Sequence, residues 1–154
     1  MTDRVQAIYD DIAPQWDARQ GLVERKLMGE QMRRDLAAAL RGRVLELGTG
    51  TGATLPFAIE NPAITAFTGT DLSSGMLAQA RAKWAALTAV HAPFPATFIE
   101  LDATQLPFSD AAFDTVTASL MLCTVPDPAQ TLREMARVCT PDGHIVLLEH
   151  VLPP

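Results

Sequence analysis

Val44-Leu45-Glu46-Leu47-Gly48-Thr49-Gly50-Thr51-Gly52 is the stretch that decides the fold. An apolar run, an acid near its end and three alternating glycines describe a strand feeding a nucleotide-binding turn, because glycine lets the main chain pass close beneath a ligand. A second apolar run, Phe67 to Thr70, closes on Asp71, at about the spacing of the acid that binds a ribose in a βαβ unit. A third, Phe98 to Leu101, closes on Asp102. Acids at the ends of successive strands, with glycines between the first two, point to a cofactor site.

The glycines alone do not choose the cofactor, since Gly48-x-Gly50-x-x-Ala53 also fits the Ala-ending form of the dinucleotide fingerprint. Glu46 tilts the choice. Two positions before the first glycine, its charge would repel a pyrophosphate but attract the amino group and sulfonium of S-adenosylmethionine. Asp102, followed by small Ala103, is an acceptor suited to an adenine amino group. Each residue also has a plainer role. Glu46 and Asp102 can shape turns, Asp71 can cap the next helix, and the glycines can simply form a loop.

A chain of 154 residues can bury roughly 70% of the surface its unfolded form exposes, enough for one core. Its net charge of −6 repels a nucleic-acid backbone, so no nucleic-acid partner is expected. Cys123 and Cys139 are too few and too far apart for a zinc cluster or a disulfide scaffold, so no metal and a reduced, cytoplasmic setting are expected. The start lacks an apolar signal core, and no window offers about 18 continuous apolar residues. A soluble protein, or one in peripheral contact with a membrane, is the expectation.

Leu22, Val23, Leu27, Met28, Met32, Leu36 and Leu40 recur at helical spacing, with Arg33 and Arg34 on the other face, and predict a helix ending near Arg41-Gly42. Thr54 to Ile59 reads as a short helix stopped by Asn61-Pro62, and Ser73 or Ser74 as the N-cap of a longer one reaching Leu87. Strand 3 is expected over Thr97 to Leu101 and strand 4 over Asp114 to Ser119. Pro126-Asp127-Pro128 opens a helix to about Cys139 whose Leu132, Met135 and Val138 face the sheet. Pro141-Asp142-Gly143 then turns the chain into strand 5, Ile145 to Glu149. Alternating strands and helices require a doubly wound parallel α/β sheet in the order 3-2-1-4-5. Its ligand site lies at the switch point between strands 1 and 4. Glu46, Asp71, Asp102, Ser119 and Glu149 all fall at that end.

An ordered set of motifs runs from Tyr9 to Val151. It begins with Tyr9-Asp10-x-x-Ala13-x-x-Trp16-Asp17, then Glu46-x-Gly48-x-Gly50-x-Gly52 and Thr70-Asp71-Leu72-Ser73-x-x-Met76-Leu77. It continues with Asp102-Ala103-x-x-Leu106-Pro107-Phe108, Phe113-Asp114, Leu132-Arg133-Glu134-x-x-Arg137-Val138 and Pro141-Asp142-Gly143. In this set the chain resembles the class I S-adenosylmethionine-dependent methyltransferases, in particular the branch of ubiquinone and menaquinone C-methyltransferases, bacterial phosphatidylethanolamine N-methyltransferases and small thiol methyltransferases. The resemblance implies one Rossmann-like domain over residues 1–154, with a helical lid and first helix in 1–42 and a core in 43–151. It implies a cofactor site built from Tyr9, Glu46, Gly48, Thr49, Gly50, Gly52, Asp71, Leu72, Met76, Asp102, Ala103, Ser119 and Leu120. Tyr9 and Trp16 would lay aromatic surface over that site, in a lid from Met1 to about Gln20 that closes when cofactor binds.

Methyl transfer needs the acceptor in line with the methyl group and sulfur, so positioning supplies much of the rate and no base is forced. Many relatives carry Asn and then a His pair after strand 4, where this chain has Ser119-Leu120-Met121-Leu122-Cys123-Thr124-Val125. The remaining candidates for chemistry are His150, at the functional end of strand 5, and Cys123, with a polar strand end and a packing cysteine as their plainer readings. The absence of charge around Leu120 to Val125 favours a small apolar acceptor such as a quinone precursor, lipid amine or thiol. The alternatives are a non-catalytic cofactor-binding module and an NAD(P)-dependent reductase. The family's sheet continues past strand 5, and this chain is expected to lack strands 6 and 7, leaving His144 to His150 as an apolar edge. A second copy, forming a homodimer, is the expected cover, the alternatives being a fragment of a longer protein and an N-terminal helix folded across the edge.

Overall fold

The computed structural model describes residues 2–19 and 29–150. At its centre is strand β1, Gly42–Leu47, with Val44, Leu45, Glu46 and Leu47 all buried. A strand covered on both faces belongs in the middle of a parallel sheet. On one side β1 pairs with β2, Ile64–Asp71, and β2 with β3, Ala96–Glu100. On the other it pairs with β4, Phe113–Ser119, and β4 with β5, Cys139–Leu148. Every pairing is parallel and the order is β3-β2-β1-β4-β5, as the alternation of elements requires.

The helices are α1, Thr2–Ile12, running on through a 3-10 turn at Ala13–Gln15; α2, Gly29–Ala39; α3, Leu55–Ala58; α4, Ser74–Leu87; and α5, Pro128–Val138. Side chains along β1 alternate between two core layers. Leu45 and Leu47 join Val116, Ala118, Met135 and Val138 on the α5 side, while Val44 joins Leu40, Leu55, Ala58 and Phe67 on the other. Glu46 shares the parity of Val44 and so points toward α2 and α3.

Three expectations need correction. On α2 the inward stripe is Arg33, Leu36 and Ala37, continued by Leu40 just past the helix end; Met32 is 47% exposed, and Leu22, Val23, Leu27 and Met28 lie outside the described residues. On α5 the buried positions are Thr131, Met135 and Val138, while Leu132 is 39% exposed. Steps of four and three keep to one helix face, whereas the expected steps of three drift around it. The Pro141-Asp142-Gly143 turn lies inside β5 rather than before it. Phe113 pairs with Cys139 and Thr115 with His144, so the turn is an outward bulge in a continuous strand.

Other boundaries differ by a residue or two. The third helix is confined to Leu55–Ala58, Asp102 stands two residues beyond β3, and Glu149 and His150 lie just past β5. Ser73 is the N-cap of α4, accepting from the Met76 amide at 3.0 Å. Strand β5 is the sheet edge, with Ile145 41% and Leu147 43% exposed.

Candidate functional site

A cavity of about 190 Å³ opens at the carboxyl ends of β1 to β4. Since about 10–15 Å³ suffices for one water, it has room for a ligand of nucleoside size. The glycine turn forms its floor. Gly48 and Gly50 have φ of +63° and +56°, in the left-handed region that side chains disfavour. A Cβ on Gly48 would collide with Met121, whereas one on Gly50 would meet nothing within 4 Å. The first glycine permits close packing and the second leaves the backbone open to the cavity.

Eleven of the thirteen residues expected to touch cofactor line this space: Tyr9, Gly48, Thr49, Gly50, Asp71, Leu72, Met76, Asp102, Ala103, Ser119 and Leu120. Asp71 ends β2, where its Oδ2 accepts from the Gly50 amide and its Oδ1 from the Ser73 amide, each at 2.9 Å. Burial pushes its carboxyl up, against the hydrogen bonds of Ser73, Gly50 and Leu72, and the negative charge of Asp10 adds to the rise. A carboxylate has about four acceptor sites, so with three N–H donors Asp71 keeps capacity for a ligand hydroxyl. Asp102 holds its own turn, its Oδ1 accepting from the Thr104 amide at 2.8 Å and the Thr104 hydroxyl at 2.7 Å.

Glu46 and Gly52 are not on the cavity wall. Glu46 is 1% exposed and lies behind the turn, where its Oε2 accepts from the Thr49 hydroxyl at 2.6 Å. Burial pushes its carboxyl up, opposed by hydrogen bonds from Thr49 and Thr54 and by the positive charge of Arg33. Glu46, expected to meet a ligand amino group, thus stands behind the wall with Thr49 and Arg33 between it and the cavity. Arg33 itself lines the cavity, donating from Nη1 to Ser119 Oγ at 2.6 Å and to Thr54 Oγ1 at 3.3 Å. Sequence reading assigned it to the solvent face; its spacing to Leu36, Ala37 and Leu40 is the signal that would have found it.

The opening segment is docked over the cavity. Tyr9 and Trp16 both line it, with ring centroids 5.6 Å apart and planes tilted by 56°. Burial pushes the Tyr9 phenol up, against a hydrogen bond to Thr124, so the hydroxyl keeps its proton at neutral pH. Asp10 Oδ1 accepts from Ser73 Oγ at 2.6 Å and from the Gly75 amide at 2.9 Å. Asp17 accepts from Thr51 Oγ1 at 2.5 Å and pairs with Lys83 at 2.8 Å. Two carboxylates thus tie the segment to the glycine turn and to α4.

Beyond β4 the wall is mostly apolar, with Leu120, Met121, Val125 and Pro126 beside the hydroxyl of Thr124, joined by Val5 of α1. Leu120 has φ +54°, a strained conformation for a branched side chain. Glu149 holds this corner, its Oε1 accepting from the Met121 and Leu122 amides at 2.9 and 3.0 Å. Cys123 and His150 are exposed and do not line the cavity. No group of three or more His, Cys, Asp or Glu side chains among the described residues is arranged to hold a metal ion. No described helix is long and apolar enough to cross a membrane.

Comparison with known proteins extends this picture. The methyltransferase domain family matches residues 45–147. A phosphatidylethanolamine N-methyltransferase of Cereibacter sphaeroides is 40% identical over 126 residues, 80% of this chain and 59% of its own. A ubiquinone/menaquinone biosynthesis C-methyltransferase of Geobacter sulfurreducens is 35% identical over 162 residues, 98% of this chain and 59% of its own. The crystal structure of an S-adenosylmethionine-dependent methyltransferase from Mesorhizobium loti superposes with a TM-score of 0.61 at 30% identity, covering 76% of this chain and 51% of that one. The chain thus spans about three-fifths of the length of the curated relatives it matches. Because the family match enters all five strands and takes in both Asp71 and Asp102, the chain belongs to the S-adenosylmethionine-dependent methyltransferases.

Proposed function

We propose that this protein binds S-adenosylmethionine in the cavity and passes its methyl group to a small apolar acceptor of the quinone-precursor, lipid-amine or thiol type. The observation that carries the reading is the division of the cavity wall. Carboxylates and a bare glycine backbone lie along β1 to β3, and the apolar corner Leu120, Met121, Val125 and Pro126 lies beyond β4. The residues fit the cofactor. The open space over Gly50 admits it, Asp71 has acceptor capacity for a ribose hydroxyl, and Asp102 and Ala103 frame a place for adenine beside β3.

When bound, S-adenosylmethionine supplies an electrophilic methyl group on a sulfonium. The protein's part is positioning. Asp71 and Asp102 fix one end of the cofactor, while Gly48 and Ser119 line the other. Tyr9 and Trp16 cover the site and exclude water from the reacting centre. Tyr9 Oη, held protonated by burial, does not serve as the base. With Cys123 and His150 not among the lining residues, no side-chain base is assigned, and an acceptor that carries a proton gives it up to bulk solvent outside the covered site.

The test is methyl transfer from methyl-labelled cofactor to a panel of demethylquinols, ethanolamine lipids and alkyl thiols, read by mass shift. Label in an apolar acceptor and none in polar amines supports the reading. Label only in polar or macromolecular acceptors refutes the assignment of the apolar corner.

A further inference from the structure

The chain turns sharply after β4, and the end of β5 holds the turn. The Leu120 amide donates to the Leu148 carbonyl at 2.8 Å, and the Met121 and Leu122 amides both donate to Oε1 of Glu149, at 2.9 and 3.0 Å. Successive N–H groups aimed at one point form a concavity suited to an anion, and Glu149 supplies that anion from within the chain. These bonds keep Leu120 in its left-handed conformation, φ +54°. The turn also closes on itself, because the Met121 carbonyl accepts from the Thr124 amide at 2.9 Å and from the Thr124 hydroxyl at 2.8 Å. The amides of Leu120, Met121, Leu122 and Thr124 are therefore all satisfied within the protein. The Met121 side chain packs against Gly48, so the same turn fixes where the apolar corner stands relative to the cavity floor.

Resting on the apolar-acceptor reading above, we propose that Glu149 is a positioning residue that sets acceptor specificity, by holding the shape of the corner and by withholding the Met121 and Leu122 amides from the acceptor. Glu149 is not itself on the cavity wall, so it acts through those two residues. A neutral acceptor is received by the side chains of Leu120, Met121, Val125 and Pro126, in a frame that does not shift to meet it. An anionic acceptor finds both of those donors already taken, and the carboxylate behind the wall opposes its charge. Removing the carboxylate reverses both effects, because N–H groups that have lost a partner favour any acceptor within reach.

The experiment uses naphthol and hydroxynaphthoate, a neutral and an anionic probe that differ by one carboxylate. Their binding is measured by calorimetry on the chain saturated with S-adenosylhomocysteine, for the wild type, Glu149→Gln and Glu149→Ala. The wild type should prefer naphthol by about 10-fold, the scale of one hydrogen bond to a charged group. In Glu149→Ala, naphthol affinity should fall by about that factor while hydroxynaphthoate affinity holds or rises, so the preference vanishes. Affinity for S-adenosylhomocysteine should not change. Glu149→Gln, whose amide oxygen still accepts from both N–H groups, should retain part of the preference. Equal wild-type affinity for the two probes, or a preference for hydroxynaphthoate, overturns the proposal even if Glu149→Ala does not fold. An undiminished preference in Glu149→Ala overturns it as well, as does an equal loss for both probes and S-adenosylhomocysteine, the result expected of a purely structural glutamate. Failure of the saturated wild type to bind either probe overturns the apolar-acceptor reading and the proposal with it, whereas failure to bind S-adenosylhomocysteine overturns the cofactor reading beneath both.

Discussion

Thr49 donates its hydroxyl to Oε2 of Glu46 across 2.6 Å, three residues back along the chain. The acid of the glycine motif therefore supports the turn from behind and is not part of the cavity wall. Replacing Glu46 by Gln keeps an oxygen for Thr49 and removes a buried charge. Burial raises the folded-state pKa of Glu46 above its ordinary 4.5. The wild type therefore loses stability as pH rises from that value through the raised one. Glu46→Gln should lack this loss and gain on the wild type across the window, by on the order of 1 kcal/mol. Urea denaturation at a series of pH values checks it; a difference that is flat or of opposite sign contradicts the account.

Asp10 latches α1 onto the start of α4 through Ser73 and Gly75. Asp10→Ala should cost about 1 kcal/mol of local stability and speed amide exchange within residues 2–19, with the sheet unaffected. Adding S-adenosylhomocysteine should slow exchange there in both proteins. Exchange in that segment indifferent to both changes would remove the lid from the mechanism.

Glu134 accepts from the Leu106 amide at 2.8 Å and from Arg137 Nε and Nη2 at 2.7 and 2.8 Å, tying the loop after Asp102 to α5. The hydrogen bonds from Arg137 hold its carboxyl down at about 2, against an ordinary 4.5. A depressed carboxylate stabilises above its unfolded value, and the contribution is lost as pH falls through the folded one. Glu134→Gln should be about 1 to 2 kcal/mol less stable at neutral pH, and the gap should close in acid. Thermal unfolding that shows a gap independent of pH would separate this loop from the ion pair.

On β5, Ile145 and Leu147 are exposed on a strand that pairs only with β4 among the described residues. An apolar edge of this kind favours association. Light scattering should show the chain forming larger species as concentration rises, and Ile145→Lys with Leu147→Lys should suppress them. Equal scattering from both proteins would show that this edge is not the contact.

Much of the architecture was legible because it rests on local rules. The cap of α4 could be narrowed to Ser73 or Ser74 because a hydroxyl there can accept from an early helix amide, the structure selecting Ser73, and Asp71 could be named because it closes an apolar run. The errors came where helical phase or tertiary pairing decides. Leu132 looks like a core residue until Thr131, Met135 and Val138 are seen to share one face, and the Pro141-Gly143 turn reads as a boundary until β4 pairs on both sides of it. Arg33 was missed for a related reason: a charge on an amphipathic helix suggests solvent, and only the packing of Leu36, Ala37 and Leu40 turns it inward. The direction of Glu46 follows from strand parity with Val44, which an acid after an apolar run does not reveal by itself.

The central claim is that the cavity over Gly50 and Asp71 is an S-adenosylmethionine site. Calorimetry with S-adenosylhomocysteine, NAD and NADP on the wild-type chain and on Asp71→Ala tests it most directly. The account predicts one S-adenosylhomocysteine bound per chain, no competition from either dinucleotide, and a loss of about 1.5 to 3 kcal/mol in Asp71→Ala as a charge-assisted ribose contact disappears. Tight binding of NAD or NADP with no binding of S-adenosylhomocysteine would contradict it.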